Sequence, residues 1–148
     1  MLFRSASKPA PYSPNRESPV PGDNVALVIT NEGTGQSLLY APGLGAIEDH
    51  VWDAMRKVDC VLVDGTFWTD DEMIGLGLSR KRAREIGHLP QSGAGGMLEW
   101  LSRLPAATRK ILIHVNNTNP ILDEGSPQRQ ELQAREIEVA WDGMEIAL

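Results

Sequence analysis

The sequence predicts an α/β protein, and three observations carry that prediction. Short apolar, β-branched runs recur along the chain: Asn24-Val-Ala-Leu-Val-Ile-Thr30, Cys60-Val-Leu-Val-Asp64 and Ile111-Leu-Ile113. Each is too short for a helix and is bounded by turn-forming residues. Between them, apolar residues fall at helical spacing. Strands that alternate with helices lead to a sheet with parallel neighbours and helices packed on it.

Composition supports one folded unit. The chain has 148 residues, 41% hydrophobic and 23% charged, enough for a core and unlike a disordered polymer. A net charge of −6 argues against a nucleic-acid binder that works by attraction over its whole surface. The one basic cluster, Arg80-Lys-Arg-Ala-Arg84, reads as a solvated helix face or an anion contact. Cys60 is the sole cysteine, so no internal disulfide forms, and its place at a strand makes it a small core residue. No apolar run approaches a membrane span. Met1-Leu-Phe-Arg-Ser5 lacks the sustained apolar stretch of a secretory signal, so a cytoplasmic protein is expected.

Residues 1–23 hold five of the ten prolines and read as an extended arm or connector, with the folded domain over 24–148. Strand 24–30 turns at Asn31-Glu-Gly-Thr-Gly35 and returns through Gln36–Ala41 as a hairpin. After Pro42-Gly-Leu-Gly45 a helix is expected over Ala46–Lys57, with Ile47, Val51, Ala54, Met55 and Val58 on one stripe and His50 partly buried beside it. Val61–Val63 is the next strand. The stretch 65–91 has little regular pattern, yet Phe67, Trp68, Met73, Ile74, Leu76 and Leu78 imply that it packs as a lid or wall. Ser92 is placed to cap a helix that begins among Gly93–Gly96 and ends at Leu104 before Pro105. After the Ile111–Val115 strand, Pro127 opens a short helix to Arg135, and Glu136–Trp141 alternates as a strand. Asp142-Gly143 then predicts a turn, with Met144–Leu148 pairing back.

Three residues stand where chemistry is expected. Asp64 closes an apolar strand beside Gly65, as a metal ligand or general base, or as an Asx-turn bonded to its own loop. His88, between Gly87 and Leu89-Pro90, can bind metal or move a proton, or simply bond a carbonyl. His114 ends a covered strand and runs into Asn116, Asn117, Thr118 and Asn119, which can hold its ring or bind a substrate. A lone histidine on such a strand is more often structural, but Asp64 and His88 in matching contexts favour a site. The glycine-rich Ser92–Gly96 loop lacks the Walker and dinucleotide spacings.

Leu62-Val-Asp64-Gly-Thr-Phe-Trp-Thr, Gly87-His-Leu-Pro-Gln-Ser-Gly93 and Ile113-His-Val-Asn-Asn-Thr-Asn-Pro-Ile-Leu122 together resemble the coenzyme PQQ synthesis protein B family, a branch of the metallo-β-lactamase superfamily near its phosphodiesterases. The resemblance covers nearly everything after the first few residues. It implies an αββα sandwich, of which this chain supplies the C-terminal half, as a mixed sheet with flanking helices; family members are about twice its length. It implies that Asp64 and His114 bind metal, and that His88, matching the glycine-histidine motif, serves catalysis by proton transfer. Two features depart from the pattern. Pro21-Gly-Asp-Asn24 has no histidine nearby, and the HxHxDH-type motif of the first half is absent.

The function implied is biosynthesis of pyrroloquinoline quinone (PQQ), most sharply an iron-dependent hydroxylation of the tyrosine in a Glu–Tyr precursor. Fe(II) is then the expected metal, with Zn the alternative, and the Asn116–Asn119 loop meets the precursor's carboxylates. The implied partners are that small-molecule or dipeptide precursor and the N-terminal half of the fold. A carrier of the quinone and a metal-dependent hydrolase or phosphodiesterase are the alternatives.

Overall fold

The computed structural model describes residues 2–5, 13, 14, 18 and 23–148. One six-stranded mixed sheet runs through it in sequence order: β1 (Leu2–Ser5), β2 (Asn24–Thr30), β3 (Ser37–Ala41), β4 (Cys60–Asp64), β5 (Arg109–Ile113) and β6 (Ile137–Val139). β1, β2 and β3 pair antiparallel; β3 to β6 pair parallel. The β2–β3 hairpin forms where the sequence placed it, with Asn31 Oδ1 accepting from the Gly33 and Thr34 amides. β1 pairs with β2 without any strand pattern in the sequence to announce it. Most of the arm expected over 1–23 lies outside the described residues.

Three crossovers connect β3 to β4, β4 to β5 and β5 to β6. They carry α1 (Asp49–Met55), α3 (Met97–Leu101) and α4 (Pro127–Ala134); α2 (Glu72–Gly75) is a single turn in the loop before α3. Parallel crossovers are almost always right-handed, so a series that steps one way across a sheet puts every helix on the same face. Accordingly Val51, Ala54 and Met55 of α1, Met97, Leu98 and Leu101 of α3 and Leu132 of α4 share one buried cluster with Leu39, Ala41, Val61, Val63, Leu112 and Val139. Each large side chain buried there contributes about 1.5–3 kcal/mol.

Among the described residues the opposite face carries no helix. Leu38, Cys60 and Ile111 are buried there by Ala140, Met144, Ile146 and Leu148, which cross the sheet after β6, and Asn31 Nδ2 donates to the Leu148 carbonyl at 2.7 Å. Burial pushes the Cys60 thiol above its usual range, as suits a core residue rather than a nucleophile. Val25, Leu27, Ile29 and Tyr40 on this face stay exposed.

Several boundaries differ from expectation, each for a physical reason. α1 begins at Asp49 rather than Ala46, because the preceding loop spends the Leu44 amide on Asp64 and the Leu44 carbonyl on the Leu89 amide. α3 is capped by Gly96, not Ser92; Gly93 and Gly95 have positive φ, and the Ser92 hydroxyl donates to the Trp68 carbonyl at 2.7 Å. α3 also ends early, at Leu101. α4 matches closely, with Ser126 Oγ accepting from the Arg129 amide. The Asp142-Gly143 turn forms, with Met144 N–H donating to the Trp141 carbonyl, but Met144–Leu148 does not pair back as a strand. Its apolar side chains settle on the uncovered sheet face instead. His50 is exposed rather than half-buried, since Val51, Ala54 and Met55 take the inward stripe. The Arg80–Arg84 cluster lies on a loop that ends in a short 3-10 turn, Arg84–Ile86, and Arg82 sits 3.5 Å from Asp70. Among the described residues, no helix is long and apolar enough to cross a membrane.

Candidate functional site

Loops at the carboxyl ends of parallel strands diverge and leave a crevice, the usual site position in open α/β sheets. Here β3, β4 and β5 deliver three loops to one rim. The first supplies the Leu44 amide, the second Asp64-Gly65-Thr66 and the third His114. Gly65 lets the second and third approach closely. Its N–H donates to the Ile113 carbonyl at 2.7 Å, and a Cβ there would lie 2.9 Å from Leu112 Cβ.

Asp64 is wholly buried, and both its oxygens are occupied. Oδ2 accepts from the Leu44 amide at 2.9 Å and meets His88 Nδ1 at 2.7 Å. Oδ1 accepts from the Thr66 amide at 3.0 Å and from the Thr66 hydroxyl at 2.5 Å. The bond to Thr66 N–H is the Asx-turn expected as one reading; the contact with His88 places the same carboxylate at a histidine.

His88 follows Gly87, whose φ of 93° is a conformation glycine adopts at little cost. The His88 ring stacks on His114 with centroids 5.3 Å apart and meets Phe67 edge-on at 5.8 Å. His114 itself has φ 57°, an uncommon left-handed conformation for a side-chain-bearing residue. The chain turns as it leaves β5, and His114 Nδ1 comes to 2.8 Å from Thr66 Oγ1. The three residues singled out by sequence thus converge: Asp64, His88 and His114 can each bring one ligand atom within 4.8 Å of the others'. An open groove of about 650 Å³ runs from His114 past Tyr40, Ile113, Leu122 and Trp141.

The Asn116–Asn119 loop divides in two. Asn119 is buried and fully engaged: its Nδ2 donates to the Gly65 and Thr66 carbonyls, and its Oδ1 accepts from the Ile121 amide. Its side chain is a strut between loops, not a free contact for substrate. Asn116 Nδ2 donates to Thr118 Oγ1, and Thr118 Oγ1 donates to Glu72 Oε1. Glu72 Oε2 in turn accepts from the Trp68 amide, so the 65–91 stretch forms a wall tied to this loop. Asn117 is exposed.

Sequence reasoning missed Thr66, Gln91 and Glu72. Gln91 is buried, and its Nε2 donates to the Gly65 carbonyl at 2.5 Å. The available signal for Thr66 was its place two residues after a strand-terminal aspartate, where an Asx-turn receives its N–H.

The described beta-lactamase superfamily domain matches residues 4–115, and the chain belongs to that family. Among curated relatives it is 67% identical over 142 residues to coenzyme PQQ synthesis protein B of Azoarcus sp. (strain BH72), covering 96% of this chain and 47% of that protein. It is 60% identical to the protein of the same name from Cupriavidus taiwanensis, over 96% of this chain and 46% of the relative. Among solved structures, Zn(2+)-bound PqqB from Methylobacterium extorquens superposes with a TM-score of 0.89 at 30% identity, over all of this chain and 50% of that one. The chain therefore spans about half the length of the relatives it matches, and its helix-backed sheet corresponds to one half of the metallo-β-lactamase-like sandwich.

Proposed function

We propose that this chain serves pyrroloquinoline quinone biosynthesis as the C-terminal half of a metal-dependent enzyme, and that the reaction is hydroxylation of the tyrosine in a Glu–Tyr precursor. The observation that carries the reading is the convergence of Asp64, His88 and His114 at the strand ends. The Asp64 carboxylate and the His114 imidazole are donors that suit Fe(II) or Zn, and His88 stands beside them as a second imidazole. The names of the relatives, and the zinc in the solved PqqB, support the pathway and the presence of a metal.

In this reading Asp64 and His114 would hold the metal, Asp64 giving up one of the hydrogen bonds its two oxygens accept here to do so; the metal when bound would supply oxygen activation as Fe(II) or Lewis acidity as Zn. His88 carries the proton. Its Nδ1 lies against Asp64, which leaves Nε2 to exchange a proton with substrate, and Phe67 and His114 fix its plane. Asn117, with Asn116 and Thr118 behind it, faces the precursor's carboxylates, and Asn119 keeps that loop in place. The apolar groove beside His114 accepts the phenol ring. The uncovered sheet face receives the N-terminal half of the sandwich, and the whole activity belongs to the protein that contains both halves.

Elemental analysis tests the ligand roles. His114→Ala is expected to lower metal content by at least tenfold; unchanged metal removes His114 from the centre. His88→Ala should retain metal while turnover of the full-length protein falls by about 10²–10⁴-fold. Loss of metal in that variant would make His88 a third ligand instead. Oxygen uptake with a tyrosine-containing dipeptide and Fe(II) supports the hydroxylase. Turnover of a phosphodiester with Zn would replace it by the hydrolase.

A further inference from the structure

We propose that Thr66 is a positioning residue of this centre: its hydroxyl fixes His88 and His114 as Nδ1–H tautomers, so that each ring offers Nε2 to metal or substrate. The proposal rests on the reading of Asp64, His88 and His114 as one centre. It deepens that reading by assigning the nitrogen each ring presents and the group that decides it.

Thr66 Oγ1 lies 2.5 Å from Asp64 Oδ1, 2.8 Å from His114 Nδ1 and 3.0 Å from His88 Nδ1. A hydroxyl has one proton and two lone pairs, and an ionised carboxylate only accepts. Asp64 takes the Leu44 amide on Oδ2 and the Thr66 amide on Oδ1, and as the metal-binding carboxylate of the proposed centre it has no proton of its own to give. The Thr66 proton must then point at Asp64, because otherwise two bare acceptors would face each other at 2.5 Å. With that proton spent, His114 Nδ1 has to be the donor to Thr66. His88 Nδ1 lies between Asp64 Oδ2 at 2.7 Å and Thr66 Oγ1, neither of which has a proton to give it, so it also donates.

Thr66 is built to hold this position. It is 5% exposed, and its carbonyl accepts from the Asn116 amide at 3.1 Å and from Asn119 Nδ2 at 3.2 Å, so its backbone is clamped from the β5 side. A β-branched side chain on a clamped backbone has few rotamers. Metal-binding histidines commonly donate their second nitrogen to a fixed acceptor, and loss of that acceptor costs about 10–100-fold in metal affinity. For His114 the acceptor is a hydroxyl that is itself oriented by Asp64.

Long-range ¹H–¹⁵N spectra of the full chain read the tautomers directly. They are recorded at mildly alkaline pH, with His50→Gln used to assign the third histidine. Wild-type protein should show both His88 and His114 protonated at Nδ1; an Nε2–H pattern at His114 overturns the proposal without any variant. Thr66→Val should turn His114 into a tautomer mixture and weaken Zn²⁺ binding by about 10–100-fold. Thr66→Ser should restore both, as a merely space-filling role would not require. A His114 pattern unchanged in Thr66→Val overturns the proposal. If the tautomers depend on Thr66 while added Zn²⁺ shifts neither ring, the role of Thr66 stands and the metal-centre reading falls.

Discussion

On one face of the sheet Leu39, Val61, Val63 and Leu112 are wholly buried beneath the helices; on the other Val25, Leu27, Ile29 and Tyr40 stand 38% to 49% exposed. The residue types are much the same. In β2 the contrast runs against size, for small Ala26 is buried while its larger neighbours Val25 and Leu27 are open. What separates the faces is connectivity. Crossovers of one hand place the crossover helices on one side, and on the other a short tail buries Leu38, Cys60 and Ile111 among the described residues. An apolar side chain on a strand therefore marks a surface made for burial, and the partner that buries it can lie outside the strand's own layer.

The largest effect expected from this contrast is on stability. Leu112→Ala should cost about 2–5 kcal/mol in urea denaturation. Ile29→Ala, with no helix above it, should cost under about 1 kcal/mol. An equal or larger loss at Ile29 would show that its face is covered. Association comes next. An open apolar face invites contact between molecules, so Leu27→Lys with Ile29→Lys should reduce concentration-dependent self-association in sedimentation runs while leaving the melt nearly unchanged. Association that persists would put the contact elsewhere.

The smallest effect concerns the ion pair on the open face. Arg109 Nε lies 2.6 Å from Glu138 Oε1, and this hydrogen bond holds the Glu138 carboxyl below its ordinary range. Its contribution is present above the carboxylate's unfolded value and is lost as pH falls through the lowered folded value. With both side chains more than a third exposed, solvent screening limits it to under about 1 kcal/mol. Glu138→Gln should flatten the acid limb of the stability profile by that amount. A larger change would mean that this face is drier than its exposure indicates.

Strands after β1 were legible because apolar, β-branched runs bounded by Gly, Asn and Asp admit little else, and Asp64 and His114 stood out because they interrupt or end such runs. The helix limits were harder to read. Ser92 looks like a cap until Gly93 and Gly95 take positive φ, and Ala46–Glu48 looks helical until Leu44 is drawn to Asp64. Met144–Leu148 alternates like a strand, but side-chain burial on an empty face won over backbone pairing. Thr66 was legible only as the amide of an Asx-turn. A threonine after Asp-Gly is ordinary turn chemistry, and its place among two imidazoles depends on the left-handed turn at His114, which no local pattern signals.

Gly65 N–H to Ile113, Asn116 N–H to Thr66 and the two bonds from Asn119 Nδ2 continue the β4–β5 ladder past the ends of its strands. Loops stitched in this way open together or not at all. Their amides belong to one cooperative unit, and deuterium should enter Gly65 and Asn116 at a common, slow rate. The pocket then dismantles in a single event, and a cation held there would escape at the pace of that opening instead of shedding its ligands one after another.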